Sequence, residues 1–277
     1  MGKVPIGLAL SGGTAKSVAH IGVIKALHEA GIEVRYLSGT SGGSIVAALY
    51  AAGMSVDQMT ELASGMGWRK LAGLTLPKLG LLSGDKIREF VIGAIGDIDF
   101  KDLSIPMTVV VADLTTGTKR IVGEGSVALA CQASSSIPQI YSPVEIDGHL
   151  FVDGGLIEYL PVSALASMGE MFMIGINLGL SEGLRKKPRH LLEVVMQVTG
   201  FVAQQNARIS EGLADFVIRP PLERFSPFAL DKAPVIIEEG YRETVRHLNE
   251  LHAALRRYGS SWNRLKRRFG LRNRHPR

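Results

Sequence analysis

The first 53 residues alternate twice between a short apolar segment and a helical segment, with glycine at the junctions. Residues 4–10 and 34–37 are apolar runs that predict strands, and residues 15–30 and 44–52 have the apolar spacing of helices. Two strand–helix units in so short a stretch favour right-handed parallel crossovers. We therefore expect an α/β fold, a layered sheet of mostly parallel strands flanked by helices.

The rest of the chain continues this pattern and becomes helical toward its end. Asp147-Gly148 between two apolar runs predicts a β-hairpin. With 46% hydrophobic residues, the chain can fill one sizeable core, and we expect a single domain over residues 1–255 with a helical C-terminal portion. The further predicted strands are 107–112, 119–122, 144–146, 149–152, 172–177 and 216–219, and the further helices are 85–95, 190–213 and 234–258.

Composition excludes several classes of protein. Cys131 is the single cysteine, which excludes an internal disulfide framework and a multi-cysteine metal site and favours a reducing, cytoplasmic location. We expect no secretory signal, and the uncharged stretch 36–56 opens with too many Ser, Thr and Gly residues for a membrane-spanning helix. The net charge of +5 comes from residues 256–277, which hold nine Lys or Arg and no acidic residue. A nucleic-acid-binding domain is therefore not expected.

Gly39, Ser41 and Gly43 form a G-x-S-x-G pattern at a predicted strand-to-helix junction. Such a turn exposes a nucleophilic serine, the glycines relieve crowding, and the helix N-terminus stabilises developing negative charge. A glycine-serine turn before a buried helix is the alternative, and the local pattern leaves both open.

A second glycine loop, residues 11–17, follows the first predicted strand. It lacks the glycine that a phosphate loop needs before Lys16, and no register supplies the G-x-G-x-x-G of a dinucleotide site. The N–H groups of Gly12 and Gly13 suit an oxyanion hole, and adjacent strands would place this loop near Ser41. A purely structural turn is the alternative.

A serine nucleophile needs a proton acceptor. Of the seven histidines, His149 lies on the strand that leads to Asp153, but about 13 Å separates them along that strand, and most of the others suit packed or solvated positions. Asp153, followed by Gly154 and Gly155, ends an apolar strand, where burial would raise its pKa. The residues leave open whether Asp153 is a base or caps a turn.

Four segments together resemble the patatin-like phospholipase family, in its small bacterial form. They are residues 8–27, 39–51, 109–117 and 133–162, and they carry the glycine loop, G-x-S-x-G and Asp-Gly-Gly in the family's order. The resemblance extends over residues 4–178.

This resemblance implies a lipid acyl hydrolase that uses a Ser–Asp dyad, without histidine, metal or cofactor. Carried over by position, Ser41 is the nucleophile, Asp153 the general base and Lys16 the basic residue of the loop. Gly12 and Gly13 match the oxyanion glycines, and the N–H of Gly42 is a further donor.

Two residues depart from the family pattern, because Thr14 and Ser17 stand where the family has glycine. A β-branched Thr resists positive φ, so either position 14 does not need it or one donor is misaligned. The alternatives are a general esterase or transacylase on the same dyad, and a catalytically silent regulator that keeps the fold.

The expected substrate is a phospholipid or another acyl-ester lipid, which gives two further segments a function. Residues 68–82, rich in Gly and Leu, suit a lid. In the basic segment 256–277, Trp262, Leu265 and Phe269 share one helical face, which suits peripheral contact with the inner face of an anionic membrane. A solvated basic terminus is the alternative.

Overall fold

The structure of the protein is a computed structural model that describes residues 4–65, 73–74, 82–179, 187–188 and 191–260. The strands are β1 (Ile6–Leu10), β2 (Val34–Thr40), β3 (Gly73–Leu74), β4 (Leu82–Ser83), β5 (Met107–Asp113), β6 (Thr118–Val122), β7 (Val144–Ile146), β8 (His149–Asp153), β9 (Phe172–Ile176) and β10 (Phe216–Ile218). The helices are α1 (Ala19–Glu29), α2 (Gly42–Ala51), α3 (Val56–Ser64), α4 (Asp85–Ile95), α5 (Val127–Ser134), α6 (Gly155–Glu158), α7 (Val162–Ala166), α8 (Leu191–Glu211) and α9 (Ala233–Gly259).

The main sheet has the order β10-β9-β1-β2-β5-β8-β7, with β6 also paired to β5. The strands from β10 to β5 are parallel, whereas β6 and β8 run antiparallel to β5 and β7 runs antiparallel to β8. All residues of β1, β5 and β9 are buried, as expected for strands covered by helices on both faces. The predicted α/β class, with mostly parallel strands, is confirmed.

Local geometry refines two of the predicted elements. The helix predicted from residue 15 begins instead as a 3-10 turn, Thr14–Val18, because the Lys16 N–H donates to the Gly13 carbonyl at 3.0 Å; α1 follows it. In the predicted hairpin, Asp147 and Gly148 both have positive φ, 51° and 79°, as a two-residue turn of this kind requires.

Helix α9 packs closely against α1, at two glycines. A Cβ atom on Gly22 would collide with the Ile237 carbonyl oxygen, and one on Gly240 would collide with the Ala19 carbonyl oxygen. The backbones of the two helices therefore touch. The long C-terminal helix is thereby fixed against the helix that follows the glycine loop.

Candidate active site

Ser41 lies on the sharp turn between β2 and α2, with φ 53° and ψ −133°. A Cβ atom on Gly39 would collide with the Ser44 backbone, and one on Gly43 would collide with the Leu10 carbonyl oxygen. A positive φ is strained for a residue other than glycine, so the surrounding structure must hold it. The two glycines of the motif are the residues that let the turn close.

Hydrogen bonds on both sides of Ser41 hold its backbone. The Ser41 N–H donates to Ser134 Oγ at 2.8 Å, and that hydroxyl donates to the Val110 carbonyl at 2.7 Å. The Ser41 carbonyl accepts from the Ser44 N–H at 2.8 Å and the Ser44 hydroxyl at 2.6 Å. Sequence reasoning missed Ser134, whose one signal was its place in a run of three serines.

Asp153 reaches Ser41 because β8 runs against the direction of the parallel strands. Thr40 is paired with Val110, and Val111 with Asp153, so the end of β8 lies level with the end of β2. The Ser41 and Asp153 side chains line the same pocket, and Ser41 lies near enough to influence the pKa of the Asp153 carboxyl. The structure therefore brings together the two residues that the sequence singled out.

Burial changes the acidity of Asp153. The residue is 7% exposed, and burial raises the pKa of its carboxyl from 3.8 to about 6. The nearby Ser41 side chain and the Gly155 N–H, which donates to Oδ1 at 2.7 Å, oppose this shift. A carboxylate with such a pKa is a stronger base than an exposed aspartate and is still mostly ionised at neutral pH.

The glycine loop lies directly beside the elbow, which is the turn around Ser41. A Cβ atom on Gly12 would lie 3.3 Å from Ser41 Cβ, and one on Gly42 would collide with Ser17 Oγ. The Gly12 N–H, however, donates to the Tyr159 carbonyl at 3.1 Å. It can receive an oxyanion only if that bond breaks, which leaves the N–H groups of Gly13 and Gly42 as the readier donors.

Thr14 does adopt the positive φ that a glycine would accept more easily, with φ 50°. Its hydroxyl lies 2.6 Å from both the Gly13 and the Pro227 carbonyl oxygens, so its one proton can be donated to either. The Ala15 N–H donates to the same Pro227 carbonyl at 3.0 Å. The loop is thus held in the strained conformation by a contact with a distant segment.

Lys16 also stabilises the glycine loop, through hydrogen bonds of its ammonium group. It is 2% exposed, and its Nζ donates to the carbonyls of Leu178 at 3.2 Å and Gly179 at 2.8 Å. Burial lowers the pKa of its ammonium to about 8, against the attraction of Glu223. Lys16 therefore joins the glycine loop to the segment that follows β9.

None of the described histidines is hydrogen-bonded to Ser41. His20 is fully buried, and its Nε2 donates to the Ser11 carbonyl at 2.9 Å; burial lowers its pKa to about 4, so it is neutral and supports the loop. His149 pairs instead with Asp113 at 2.8 Å, at the far end of β8 from Asp153.

Two pockets of about 110 Å³ each include Ser41 in their walls. The first is almost wholly apolar and extends from Ser41 to residues of α2, α3 and α4. The second also contains Asp153 and Lys16. Further residues of the first include Ile21, Leu49, Met59, Phe90 and Phe228, and further residues of the second include Tyr159, Met196, Thr199, Gly200 and Ala203.

Other expectations concern metals and membranes. Within the described ranges, no group of three or more His, Cys, Asp or Glu side chains could hold a metal ion. None of the described helices is long and apolar enough to cross a bilayer. Most of the predicted lid, residues 68–82, and residues 261–277 of the basic segment, with Trp262, Leu265 and Phe269, lie outside the described residues.

Comparison with known proteins identifies the family of this chain. A family model described as patatin-like phospholipase matches residues 8–166. An NTE family protein of Mycobacterium tuberculosis, described as uncharacterized, is 34% identical over 180 residues, which cover 64% of this chain and 50% of that protein. Lysophospholipase NTE1 of Kluyveromyces lactis is 28% identical over 282 residues, covering 88% of this chain and 19% of that protein.

The chain thus spans about half the length of the mycobacterial relative and a smaller part of the yeast one. Among solved structures, VipD of Legionella pneumophila has the same fold, with a TM-score of 0.62 at 16% identity, over 90% of this chain and 67% of that one. Since the family model covers more than half of the residues, the chain belongs to the patatin-like phospholipase family.

Proposed function

We propose that this protein is a serine lipid acyl hydrolase that cleaves acyl esters of phospholipids or lysophospholipids. One observation carries the proposal: Ser41, on a strained turn, lines the same pocket as Asp153, a buried carboxylate whose pKa burial raises to about 6. A hydroxyl beside a base of this strength can act as a nucleophile. Membership of the patatin-like phospholipase family supports a lipid ester as the substrate.

The proposed reaction has two steps. Asp153 accepts the Ser41 proton as Oγ attacks the ester carbonyl carbon; the tetrahedral intermediate then expels the alcohol or lysolipid, which takes that proton from Asp153. Water next attacks the acyl-serine and gives a proton to Asp153. The fatty acid leaves, and the proton returns to Ser41 Oγ.

The oxyanion of each tetrahedral intermediate needs donors beside Ser41. We assign this role to the N–H groups of Gly13 and Gly42, and to Gly12 only after its bond to the Tyr159 carbonyl is released. Gly42 is the first residue of α2, so the positive end of that helix faces the same charge. Losing one such donor costs about 3 kcal/mol of transition-state stabilisation.

The two pockets suggest how an acyl lipid binds. The apolar pocket suits the acyl chain, because burial of CH₂ groups is favourable by about 0.8 kcal/mol each. The second pocket, which holds Asp153 and Lys16, suits the alcohol side of the ester, where the leaving group must take a proton. Ser41 lines both pockets, so the scissile bond would lie between them.

Two further expectations belong to the proposed function. We assign catalysis to residues 1–255 and membrane contact to the basic segment 256–277, whose first residues continue α9. We place the reaction at the cytoplasmic side of a membrane, which the single cysteine favours.

The test is labelling by a fluorophosphonate probe, with the modified residue assigned by mass spectrometry. We expect one label, on Ser41, that Ser41→Ala and Asp153→Asn both abolish. The matched control is Asp113→Asn, which alters a second buried aspartate, on the neighbouring strand, whose partner is His149. Labelling per folded molecule should survive in that control.

Three outcomes would count against the proposal. Absence of label on the folded parent would favour a silent regulator. Equal loss in Asp113→Asn and Asp153→Asn would mean that Asp153 acts through the fold rather than as a base. Transfer of the acyl group to an added alcohol faster than to water would favour a transacylase on the same dyad.

A further inference from the structure

The outward face of helix α8 is apolar and uncovered by any described residue. Its five large apolar side chains recur at helical spacing along one side, a stripe about 100° wide. Their exposed fractions lie between 40% and 74%. They are Val194, Val198, Phe201, Val202 and Ile209.

The opposite face of the same helix lines the pocket that contains Ser41 and Asp153. Met196, Thr199 and Ala203 contribute to that wall. Since a helix with its side chains is about 10 Å across, the exposed stripe and the pocket lie on two sides of a single layer. Anything that binds the stripe is therefore one helix away from the proposed reacting groups.

Charge indicates what kind of surface would bind there. The sequence just before α8 carries Arg185, Lys186, Lys187 and Arg189 with no acid among them, and Lys187 is exposed. At the other end, Glu211 is paired with Arg219 at 2.8 Å, so its charge is compensated. An apolar helix face that follows a basic stretch of sequence suits a lipid surface that is itself anionic.

We propose that the outward face of α8 docks on the surface of an anionic phospholipid bilayer and holds the pocket beside its substrate; this rests on the proposed function. The stripe enters the boundary between head groups and acyl chains, to a depth of about 5–10 Å. The exposed Lys187, just before the helix, adds electrostatic attraction to anionic head groups. This surface is distinct from the basic C-terminal segment.

The test compares two double variants of the full chain in sedimentation with vesicles. Val198→Ser with Phe201→Ser removes the centre of the stripe, whereas Val235→Ser with Val245→Ser removes two valines of similar exposure, 47% and 42%, from α9. On mixed phosphatidylcholine–phosphatidylglycerol vesicles, the α8 pair should bind about tenfold or more weakly than the parent. The α9 pair should bind as the parent does, and pure phosphatidylcholine should bind all three weakly.

A second measurement uses the parent alone. Amide hydrogen exchange in peptides from α8 should slow when the mixed vesicles are added, while exchange in α9 stays constant. Equal vesicle binding by the two double variants, or unchanged exchange in α8, would overturn the proposal. So would a parent that is dimeric by light scattering and becomes monomeric in the α8 pair, because the face would then bind a second copy.

Hydrolysis of a short-chain ester without vesicles separates this proposal from the proposed function. A parent that cleaves the ester but does not bind vesicles overturns the docking surface and leaves the Ser41 assignment standing. A parent that binds vesicles through α8 but cleaves no ester supports the docking surface and overturns the Ser41 assignment.

Discussion

The elbow and the glycine loop are neighbouring strand-to-helix turns, and each holds a residue other than glycine at a φ near +50°. At the elbow the residue is Ser41, with φ 53°; in the loop it is Thr14, with φ 50°. The Ser41 carbonyl accepts from the Ser44 N–H of its own turn, and the Ser41 N–H donates to Ser134, 93 positions away. Thr14 is held through its side chain, whose hydroxyl reaches the carbonyl of Pro227, 213 positions away. The elbow therefore combines a bond within its own turn with backbone support from a distant helix, whereas the loop relies on one side-chain hydroxyl for its distant support.

The largest expected effect breaks the elbow at one of its glycines. Gly43→Ala should destabilise the protein by about 3 kcal/mol, because its methyl group meets the backbone of β1, which cannot move aside. Displacement of Ser41 should slow ester hydrolysis by about a hundredfold or more. Urea unfolding and kcat/KM measure the two effects.

The matched change in the loop is Gly12→Ala, whose methyl group meets chiefly the Tyr159 ring at 2.8 Å. A ring at the end of a side chain can shift, so we expect the free energy of unfolding to fall by only about 1 kcal/mol. If Gly12→Ala destabilises the protein as much as Gly43→Ala does, the two turns are equally rigid and the contrast between them is wrong.

The elbow should also respond to pH through Asp153. With a pKa of about 6, the base is protonated at lower pH, so kcat/KM should fall about tenfold per unit below pH 6. A pH–rate profile whose acidic limb is set by a group with a pKa near 4 would contradict this assignment.

The same pKa predicts a change in stability. Because the folded-state pKa of Asp153 lies above the ordinary value of 3.8, the stabilisation from holding its proton is complete below about pH 4 and is lost as pH rises through about 6. The difference is about 3 kcal/mol. Asp153→Asn should therefore increase the free energy of unfolding at pH 8 and leave it nearly unchanged at pH 4, in urea titrations at both pH values.

The loop's dependence on a distant contact is tested at Thr14. Thr14→Val keeps the branched shape but loses the hydroxyl. We therefore expect the free energy of unfolding to fall by about 1–2 kcal/mol and kcat to decrease. Thr14→Ser keeps the hydroxyl, so its free energy of unfolding and its kcat should stay close to those of the parent. Equal behaviour of the two variants would show that the bond to Pro227 does not hold the loop.

The smallest expected effect concerns Ser17, which lies between the two turns. Its buried Oγ has no hydrogen-bond partner among the described residues, and it adjoins Gly13 and Gly42. Ser17→Ala should stabilise the protein by about 1 kcal/mol, because an unsatisfied buried hydroxyl is unfavourable. Thermal unfolding measures this; a lower stability in Ser17→Ala would mean that the hydroxyl has a function in the fold.

Much of the fold could be predicted because its elements have clear local patterns. The strand at 107–113, the hairpin at Asp147-Gly148 and the long helix that ends the described chain all follow from apolar spacing and turn residues. Helix α5 was missed, since its Ala- and Ser-rich sequence has little apolar periodicity. Ser134, whose hydroxyl accepts from the Ser41 N–H, is the last residue of this helix and was missed for the same reason.

Histidine is where residue type alone was least informative. His20 and His149 have the same side chain, yet one is buried and neutral beneath the glycine loop and the other pairs with Asp113. Their chemistry depends on burial and on partners from other elements. Neither can be read from the residues on either side of them.

The positions of the elbow and the glycine loop follow from local sequence, because each turn needs particular residues within a few positions to avoid backbone collisions. The contacts of those turns depend on how the whole chain folds. The antiparallel run of β8 brings Asp153 to Ser41, the Tyr159 carbonyl takes the Gly12 N–H, and the Pro227 carbonyl holds Thr14. Such contacts join residues far apart in the chain, and they form only when the sheet and its helices have packed.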